Sequence, residues 1–167
     1  DPASCGSLTT NAARAKVDGV EAEGKWAVLD NGLVKFGLSY NEAKYKDYHP
    51  TDTVDFSGQR LDRAPMQSLT LGYSHNFDIG GGELVATVGT RYSSSYMISD
   101  PAAGVRYTQP AFHKSDASLG YNWSGGRYSA QLYVKNIENE TTIESRVPGS
   151  FFLGDPRTYG IRLNAQF

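Results

Sequence analysis

The chain has 167 residues, with 16 Lys and Arg against 18 Asp and Glu, for a formal net charge of −2. This balance excludes a sequence-wide basic field for nucleic acid, and no apolar run approaches the roughly 20 residues of a membrane-spanning helix. Eleven Tyr against two Met, together with 18 Gly, are typical of β-structure with tight turns.

The opening segment, DPASCGSLTT, has no positively charged stretch followed by an apolar one. It is therefore not predicted to be a signal peptide, and its composition is that of the middle of a loop. We expect residues 1–14 to form this loop and the first strand to begin at about residue 15. The start of the protein is expected to lie elsewhere.

The first two segments after this loop alternate strictly between apolar and polar residues. VDGVEAEGKWAV and LVKFGLSYNEAKY place on one side Val20, Ala22, Trp26, Val28, Val34, Phe36, Leu38 and Tyr40. A period of two predicts β-strands with one apolar and one polar face. The LDNG between them predicts a hairpin turn in which Asn31–Gly32 adopts positive φ angles.

Two further predicted hairpins follow, each closed by a short glycine-containing turn. QSLTLGYSHNF and ELVATVGTRYSSSY flank DIGGG, and HKSDASLGYNW and YSAQLYVKN flank SGGR. Their apolar sides carry Leu69, Leu71, Tyr73, Phe77, Leu84, Ala86, Val88, Tyr92, Ala117, Leu119, Tyr121, Trp123, Tyr128, Ala130, Leu132 and Val134. The segments HPTDTVDFSGQRLDRAP, ISDPAAGVRYTQP and IENETTIESRVPGSFFLGDPR are predicted to be long loops.

The final segment, YGIRLNAQF, alternates in the same way and completes seven predicted strands. Its apolar side consists of Tyr159, Ile161, Leu163, Ala165 and Phe167. Short turns and long loops alternate along the whole chain, and no segment shows the 3.6-residue period of a helix. The fold class is therefore all-β and antiparallel.

Strand length and residue placement favour a transmembrane β-barrel. Strands of about 9 to 13 residues cross a bilayer at a tilt. Aromatic residues gather at both ends of the predicted strands, as in the two aromatic girdles of outer-membrane barrels. These residues are Trp26, Phe77, Trp123, Tyr128 and Phe167 near the short turns, and Tyr40, Tyr92 and Tyr159 towards the long loops. A soluble β-sandwich that binds a partner remains the alternative, with the apolar face inside.

The barrel interpretation also predicts which end of the strands faces the periplasm and which faces the outside of the cell. Outer-membrane barrels have short periplasmic turns and long extracellular loops. The three short turns are then periplasmic, and Phe167 lies at the periplasmic interface.

Several short motifs resemble the C-terminal barrel segment of TonB-dependent outer-membrane receptors. They are GVEAEG, YVKNIENE, GDPRTYGIRL and the terminal Phe167, and the resemblance covers the chain from about Ala15. It implies a 22-stranded barrel, of which this chain supplies the last seven strands, and a plug domain inside the barrel. It also implies energy-coupled import of a scarce solute such as an iron chelate, cobalamin, a sugar or a peptide.

The resemblance implies partners and a location as well. The partners are the rest of the receptor (plug and preceding strands, in the same or separate chains), a TonB-type energy-coupling protein, the barrel-assembly machinery and outer-membrane lipid. Because seven strands leave two open edges that lipid does not tolerate, we expect residues 1–167 to be one part of a larger barrel. The expected location is the bacterial outer membrane, with no enzyme activity and no cofactor. An outer-membrane enzyme or adhesin is the alternative function.

Five charged residues fall on the polar side of the predicted strands: Arg91, Lys114, Asp116, Lys135 and Arg162. Charges within a membrane segment are pathway candidates, but in a wide lumen they also pair with each other or with a plug. The three histidines, His49, His75 and His113, lie on separate elements and predict no metal site. His75 is expected at a membrane interface on the apolar side.

Two site predictions concern the ends of the chain. Tyr159, Ile161, Leu163, Ala165 and Phe167 are predicted to face lipid and to form the signal for barrel assembly. A lone cysteine in a secreted protein suggests a free thiol or a partner outside the observed sequence. We predict that Cys5 forms a disulfide with a cysteine just upstream in the complete protein, since the outside of the cell permits disulfides.

Overall fold

The computed structural model describes residues 14–100, 103–123, 125–147 and 150–166. Within these ranges every regular element is a β-strand, and no helix is long and apolar enough to cross a membrane. Seven strands form one antiparallel sheet: β1 Arg14–Val28, β2 Gly32–Asp47, β3 Gln67–Ile79, β4 Gly82–Ser93, β7 Phe112–Trp123, β8 Tyr128–Lys135 and β11 Thr158–Ala165. Two small hairpins contain β5 Tyr96–Asp100 with β6 Val105–Gln109, and β9 Ile143–Val147 with β10 Ser150–Leu153.

The register of the large sheet aligns the apolar residues of all seven strands. Leu69 lies opposite both Leu38 on β2 and Tyr92 on β4, and Leu119 lies opposite Leu132 on β8. Because side chains alternate across a strand, this register gives the sheet one apolar face and one polar face. The alternation predicted from the sequence is thus confirmed as a continuous pattern. The strands range from 8 to 16 residues, so their spread is wider than the predicted 9 to 13.

The apolar face is open rather than packed against a second layer. On the central strands Leu71, Val88, Leu119 and Leu132 are 44–55% exposed. The buried hydrophobic residues in the described ranges are Ala43, Phe56 and Ile98, and all three lie near the long loops. A continuous exposed apolar face of this size marks contact with a membrane or a partner. This arrangement opposes a soluble sandwich, which would bury that face.

The short turns lie at one end of the sheet, called here the turn end, and they differ in backbone conformation. Gly80 and Gly81 link Ile79 to Gly82 with φ angles of 62° and 78°, which is the pattern of a type I′ hairpin turn.

The positive φ angles predicted for Asn31–Gly32 are wrong, because the turn comprises Leu29, Asp30 and Asn31, and Leu29 has φ 56°. Gly32 instead begins β2 opposite Val28. A Cβ on Gly32 would collide with the Val28 carbonyl oxygen, so Gly32 serves close packing rather than the turn.

Two of the three segments predicted as loops contain the small hairpins. β5 and β6 lie within 94–111, and β9 and β10 lie within 136–157. Only 48–66 remains without a strand, apart from isolated bridges such as Thr51↔Val54. These three segments lie together at the opposite end of the sheet, which we call the loop end.

Aromatic side chains cluster on the apolar face at the turn end, as predicted. Trp123 stacks between Tyr121 and Tyr128, with ring centroids 5.9 and 6.0 Å apart. His75 lies 4.3 Å from the Phe77 ring, and its Nδ1 is 2.8 Å from the Tyr73 hydroxyl. His75 therefore belongs to this aromatic band.

Candidate functional site: a charged groove on the polar face

A groove of about 580 Å³ opens on the polar face at the loop end. Its floor is bare backbone at Gly72 and Gly89, which lie opposite each other on β3 and β4. Charged residues on β4, β7, β8 and β9 and in the segment after β10 surround this floor: Arg91, Lys114, Asp116, Lys135, Glu144 and Asp155. Four of the five charged residues predicted on the polar side thus line one groove.

Arg91 on β4 and Lys114 on β7 lie directly opposite each other in the register. The Phe112 ring lies beside both cations, 5.8 Å from the Arg91 guanidinium carbon and 5.9 Å from Lys114 Nζ. These distances fall within the range of cation–π contacts. Arg91 is exposed to the groove, whereas only 7% of Lys114 is exposed.

The β9–β10 hairpin covers Lys114. Lys114 Nζ donates a hydrogen bond of 2.9 Å to Thr142 Oγ1, and Gly154 fits closely against the same group. A Cβ on Gly154 would collide with Thr142 Oγ1 and lie 3.3 Å from Lys114 Nζ. A second contact holds the hairpin in place: Oε1 of the fully buried Gln109 accepts a 2.7 Å hydrogen bond from the Ile143 backbone amide. The hairpin is therefore part of the groove wall.

The conformation between β8 and β9 depends on Asn136. Its backbone has φ 52°, a left-handed conformation that Asn tolerates better than most residues. Its buried side chain donates to the Glu140 and Asp155 carbonyl oxygens and accepts from the Glu140 amide, at 2.9–3.0 Å. The backbone N–H of Asn136 donates a hydrogen bond of 2.8 Å to Asp116 Oδ1. Asn136 thereby joins the NIENE and GDPR segments to the groove.

The same segment has one carboxylate with a shifted pKa. Glu138 Oε2 accepts a 2.7 Å hydrogen bond from the Ser115 amide, and hydrogen bonds from Ser115 lower the pKa of this exposed carboxyl. His113 Nε2 lies 3.8 Å from Glu138 Oε1. Both His113 and Ser115 alternate with the groove residues, so this contact lies on the apolar-face side of β7.

The other two loop-end segments are joined through Arg106. Its side chain is 9% exposed and donates to Ser99 Oγ, Gln59 Oε1, Asp62 Oδ1 and the Arg60 carbonyl oxygen. These acceptors belong to β5 and to the 48–66 segment. We call this ordered assembly of 48–66 with the two hairpins the loop layer.

Arg146 on β9 links the two hairpins of the loop layer. Its guanidinium carbon lies 4.0 Å from the Tyr107 ring centroid and 5.3 Å from that of Phe151. Its Nη1 is 3.5 Å from Asp100 Oδ2. Tyr96, at the start of β5, is partly buried, and burial raises the pKa of its hydroxyl, with nearby Glu144 acting in the same direction.

The structure separates the remaining predicted site residues from the groove. Arg162 lies on β11 beyond the groove, where Nη1 is 3.4 Å from Gln131 Oε1. Tyr159, Ile161, Leu163 and Ala165 are exposed on the apolar face of β11. Phe167 and Cys5 lie outside the described residues. The three histidines do not meet, and no group of three possible metal ligands occurs in the described ranges.

The charges of the polar face do not pair with one another. Among the described residues, none of Arg91, Lys114, Lys135 and Arg162 has a carboxylate within 4.0 Å. The sequence did not reveal Glu144 and Asp155 as groove residues, nor Thr142 as the buried partner of Lys114, because all three come from a segment interpreted as a loop. Asn136 was visible only as part of the NIENE motif, which says nothing of its contacts.

Taken together, these features define a class of protein: a segment of an antiparallel transmembrane β-barrel with its apolar face outward. The family model described as TonB dependent receptor-like, beta-barrel matches residues 1–137. The chain therefore belongs to the TonB-dependent receptor family, whose members are transporters of the outer membrane rather than enzymes. The match includes GVEAEG but ends within NIENE, before GDPRTYGIRL.

Solved structures of siderophore receptors share the fold. The ferric yersiniabactin uptake receptor FyuA from Yersinia pestis has a TM-score of 0.73 and 21% identity, over 90% of this chain and 23% of that one. The siderophore receptor PiuA from Acinetobacter baumannii has 0.69 and 18%, over 89% and 21%. The ferric preacinetobactin receptor BauA from the same species has 0.68 and 16%, over 89% and 21%. The chain thus spans about a fifth of the structures it matches.

Proposed function

We propose that the complete protein imports an iron chelate across the bacterial outer membrane. The family match over residues 1–137 carries this proposal. Two of the similar structures are named as receptors for ferric yersiniabactin and ferric preacinetobactin, which supports iron chelates over cobalamin, sugars or peptides. The charged groove beneath the loop layer is suited to a polar solute that arrives from outside.

Iron uptake by cells with and without the complete gene tests this proposal. Iron-starved cells are supplied with radioactive iron as a catecholate, a hydroxamate or a mixed phenolate chelate. We expect the deletion strain to lose uptake of one of these chelates and the restored gene to recover it. Unchanged uptake of all three, with loss of cobalamin or oligosaccharide uptake instead, would replace iron chelates as the substrate.

The arrangement of the complete receptor forms part of the same proposal. In this proposal residues 1–167 are the C-terminal part of one barrel, and the residues before β1, which begins at Arg14 rather than after residue 14, belong to an extracellular loop. The preceding strands and a plug domain complete the lumen, and a TonB-type protein supplies energy through the N-terminal part. The polar-face cations without carboxylate partners in the described ranges are free to meet charges of that remaining part.

Two proposals concern the chain ends. The exposed apolar stripe of Tyr159, Ile161, Leu163 and Ala165 on β11, continued by Phe167, faces lipid and is recognised by the barrel-assembly machinery. Cys5 is joined by a disulfide to a cysteine just upstream in the complete protein. Peptide mass analysis after alkylation without reductant tests the second proposal, since labelling of Cys5 in the denatured, unreduced protein would contradict it.

The sequence left three alternatives open: an outer-membrane enzyme, an adhesin and a soluble β-sandwich. Membership of a transporter family excludes an outer-membrane enzyme, and the exposed apolar face opposes a soluble sandwich. No contact in the described residues favours an adhesin, so no second function is proposed.

A further inference from the structure

Strand β10 carries two exposed apolar side chains that the membrane does not explain. Phe152 and Leu153 are 56% and 60% exposed. The β9–β10 hairpin lies over the polar face, because Thr142 beside β9 bonds to Lys114 and Glu144 on β9 lines the groove. Lipid on the apolar face of the sheet therefore does not cover this pair.

The register of the hairpin places both side chains on the side that faces away from the groove. Phe152 lies opposite Ser145 on β9. A β-bulge follows, so that Leu153 lies opposite Ile143, which shares one face of β9 with Ser145. Glu144 lies on the other face of β9 and lines the groove. Phe152 and Leu153 are therefore not part of the groove.

Both β10 and β11 have a free edge in the part of the chain that the structure describes. Within these ranges β10 pairs with β9 alone, and β11 pairs with β8 as the last strand of the large sheet. Lipid does not tolerate an unpaired strand edge, so in the proposed receptor a strand that precedes this chain pairs with β11. Strands of outer-membrane barrels are antiparallel, and that strand therefore ends at the loop end, beside Thr158, where β11 begins.

The loop that follows this strand, called here the seam loop, starts within reach of β10. Five residue steps separate Leu153 from Thr158, a span of at most about 18 Å in extended chain. The segment between them is held in place by Asn136, whose side chain donates to the Asp155 carbonyl oxygen. The first residues of the seam loop therefore pass close to the exposed pair.

We propose that Phe152 and Leu153 dock against apolar side chains of the seam loop and thereby fasten the β9–β10 hairpin across the seam where the barrel closes. Burial of two large apolar side chains favours this contact. The contact supports the groove wall from the side that faces away from the groove, because the same hairpin covers Lys114. This inference rests on the proposed function only for the arrangement of the complete receptor.

Photo-cross-linking of the complete receptor in outer membranes tests this contact. Phe152 is replaced with p-benzoylphenylalanine, which keeps an aromatic ring at the position, and heat-modifiable mobility first shows that the barrel has closed. We expect irradiation to join position 152 to the seam loop, as identified by peptide mass analysis. A closed barrel without this adduct overturns the proposal. An adduct with residues 1–13, with lipopolysaccharide or with a second copy of the receptor in its place overturns it as well.

The same label at two other positions controls this measurement. Val105 is an exposed residue of the other small hairpin, and its label should not join the seam loop. The same adduct from both positions would show chance collisions above the barrel and would contradict the proposal. A label at Thr158 should join the end of the strand that pairs with β11. The Thr158 adduct without the Phe152 adduct rejects the seam contact alone, whereas loss of both also rejects the arrangement of the receptor. Neither result depends on uptake of an iron chelate.

Hydrogen exchange distinguishes docking from a local role of Phe152 in its own hairpin. Phe152→Ser removes the ring, and we expect exchange about tenfold faster in the seam loop as well as in β9 and β10, because the burial of one Phe side chain is lost. Val105→Ser is the matched control and should leave exchange in the seam loop unchanged. Faster exchange confined to β9 and β10 would show that Phe152 stabilises only its hairpin, and would overturn the proposal.

Discussion

At the scale of single residues, buried polar side chains hold the loop end of this barrel segment together. Asn136, Gln109, Lys114 and Thr142 are the buried polar residues in the described ranges. Each forms hydrogen bonds that join segments far apart in the sequence. A buried polar group that loses its partner costs more than the bond itself contributes, so these residues control local order.

Asn136→Ala is expected to destabilise the complete receptor by about 2–4 kcal/mol. It leaves the Glu140 amide and the Glu140 and Asp155 carbonyl oxygens without the Asn136 side chain, and Ala is less suited than Asn to a positive φ. Denaturant unfolding in detergent micelles measures the change. Asn139→Ala is the matched control, because Asn139 also has a positive φ but is exposed, and its side chain accepts one hydrogen bond, from the Arg157 backbone amide. Equal losses for both variants would contradict the role of burial.

A second residue-scale prediction separates the two faces of the seven-stranded sheet. Leu132→Arg, or Val88→Arg, places a charge on the exposed apolar face and should cost about 2–4 kcal/mol if the site is near the bilayer midplane. Ser118→Arg places the same charge on the polar face and should cost far less. Unfolding in lipid bilayers compares these variants. Equal penalties would show that the faces are wrongly assigned.

At the scale of elements, sequence periodicity predicted the seven long strands but not the four short ones. The long strands have a face that a membrane selects, so apolar and polar residues must alternate. β5 and β6 are held instead by the buried Ile98 and by the Arg106 hydrogen bonds. Such contacts come from the 48–66 segment, and no local pattern reveals them. The prediction of positive φ angles at Asn31–Gly32 was wrong for a related reason. Gly32 packs closely beside the Val28 carbonyl oxygen at the start of β2, and the local sequence does not reveal this contact.

Arg106→Lys is expected to loosen the loop layer without unfolding the barrel. An ammonium cannot reach the four acceptors that the planar guanidinium joins. Hydrogen exchange followed by mass spectrometry should show faster exchange in peptides from 48–66 and 96–109, with no change in β3, β4 or β7. Arg63→Lys is the control, since Arg63 is exposed and, among the described residues, donates through its backbone amide alone. Protection that stays the same in Arg106→Lys would remove Arg106 from the account of the loop layer.

At the scale of the whole molecule, the described part of the chain has its apolar residues on an exposed face instead of in an internal core. The few buried hydrophobic residues of the described ranges lie near the loop layer, while the polar face carries a groove lined with charge. Membership of the TonB-dependent receptor family explains both features as parts of a membrane barrel with a polar lumen. The sequence predicted this inversion from strand length and aromatic placement, but it could not bring the groove residues of β4, β7 and β9 together.

Deleting Phe167 from the complete receptor is expected to slow insertion into the outer membrane while leaving solute preference unchanged. The reason is that Phe167 is proposed to extend the apolar stripe of β11 and to form part of the signal that the assembly machinery recognises. A pulse-chase measurement of heat-modifiable barrel gives the assembly rate. Gln166→Ala is the control, because Gln166 lies on the opposite side of the alternation and its backbone amide bond to Arg127 remains possible. A normal rate for the deletion would argue against the assembly role.

Collision rates of spin labels with oxygen and with a water-soluble nickel chelate test the central claim, that the apolar face meets lipid and the polar face meets water. Labels are placed one at a time on β7 of the complete receptor in lipid bilayers, at Asp116, Ala117, Ser118 and Leu119. Oxygen concentrates in lipid, so we predict high oxygen and low nickel collision rates at Ala117 and Leu119. The reverse is predicted at Asp116 and Ser118, with a period of two residues. Accessibility without this period, or with the two faces exchanged, would contradict the account.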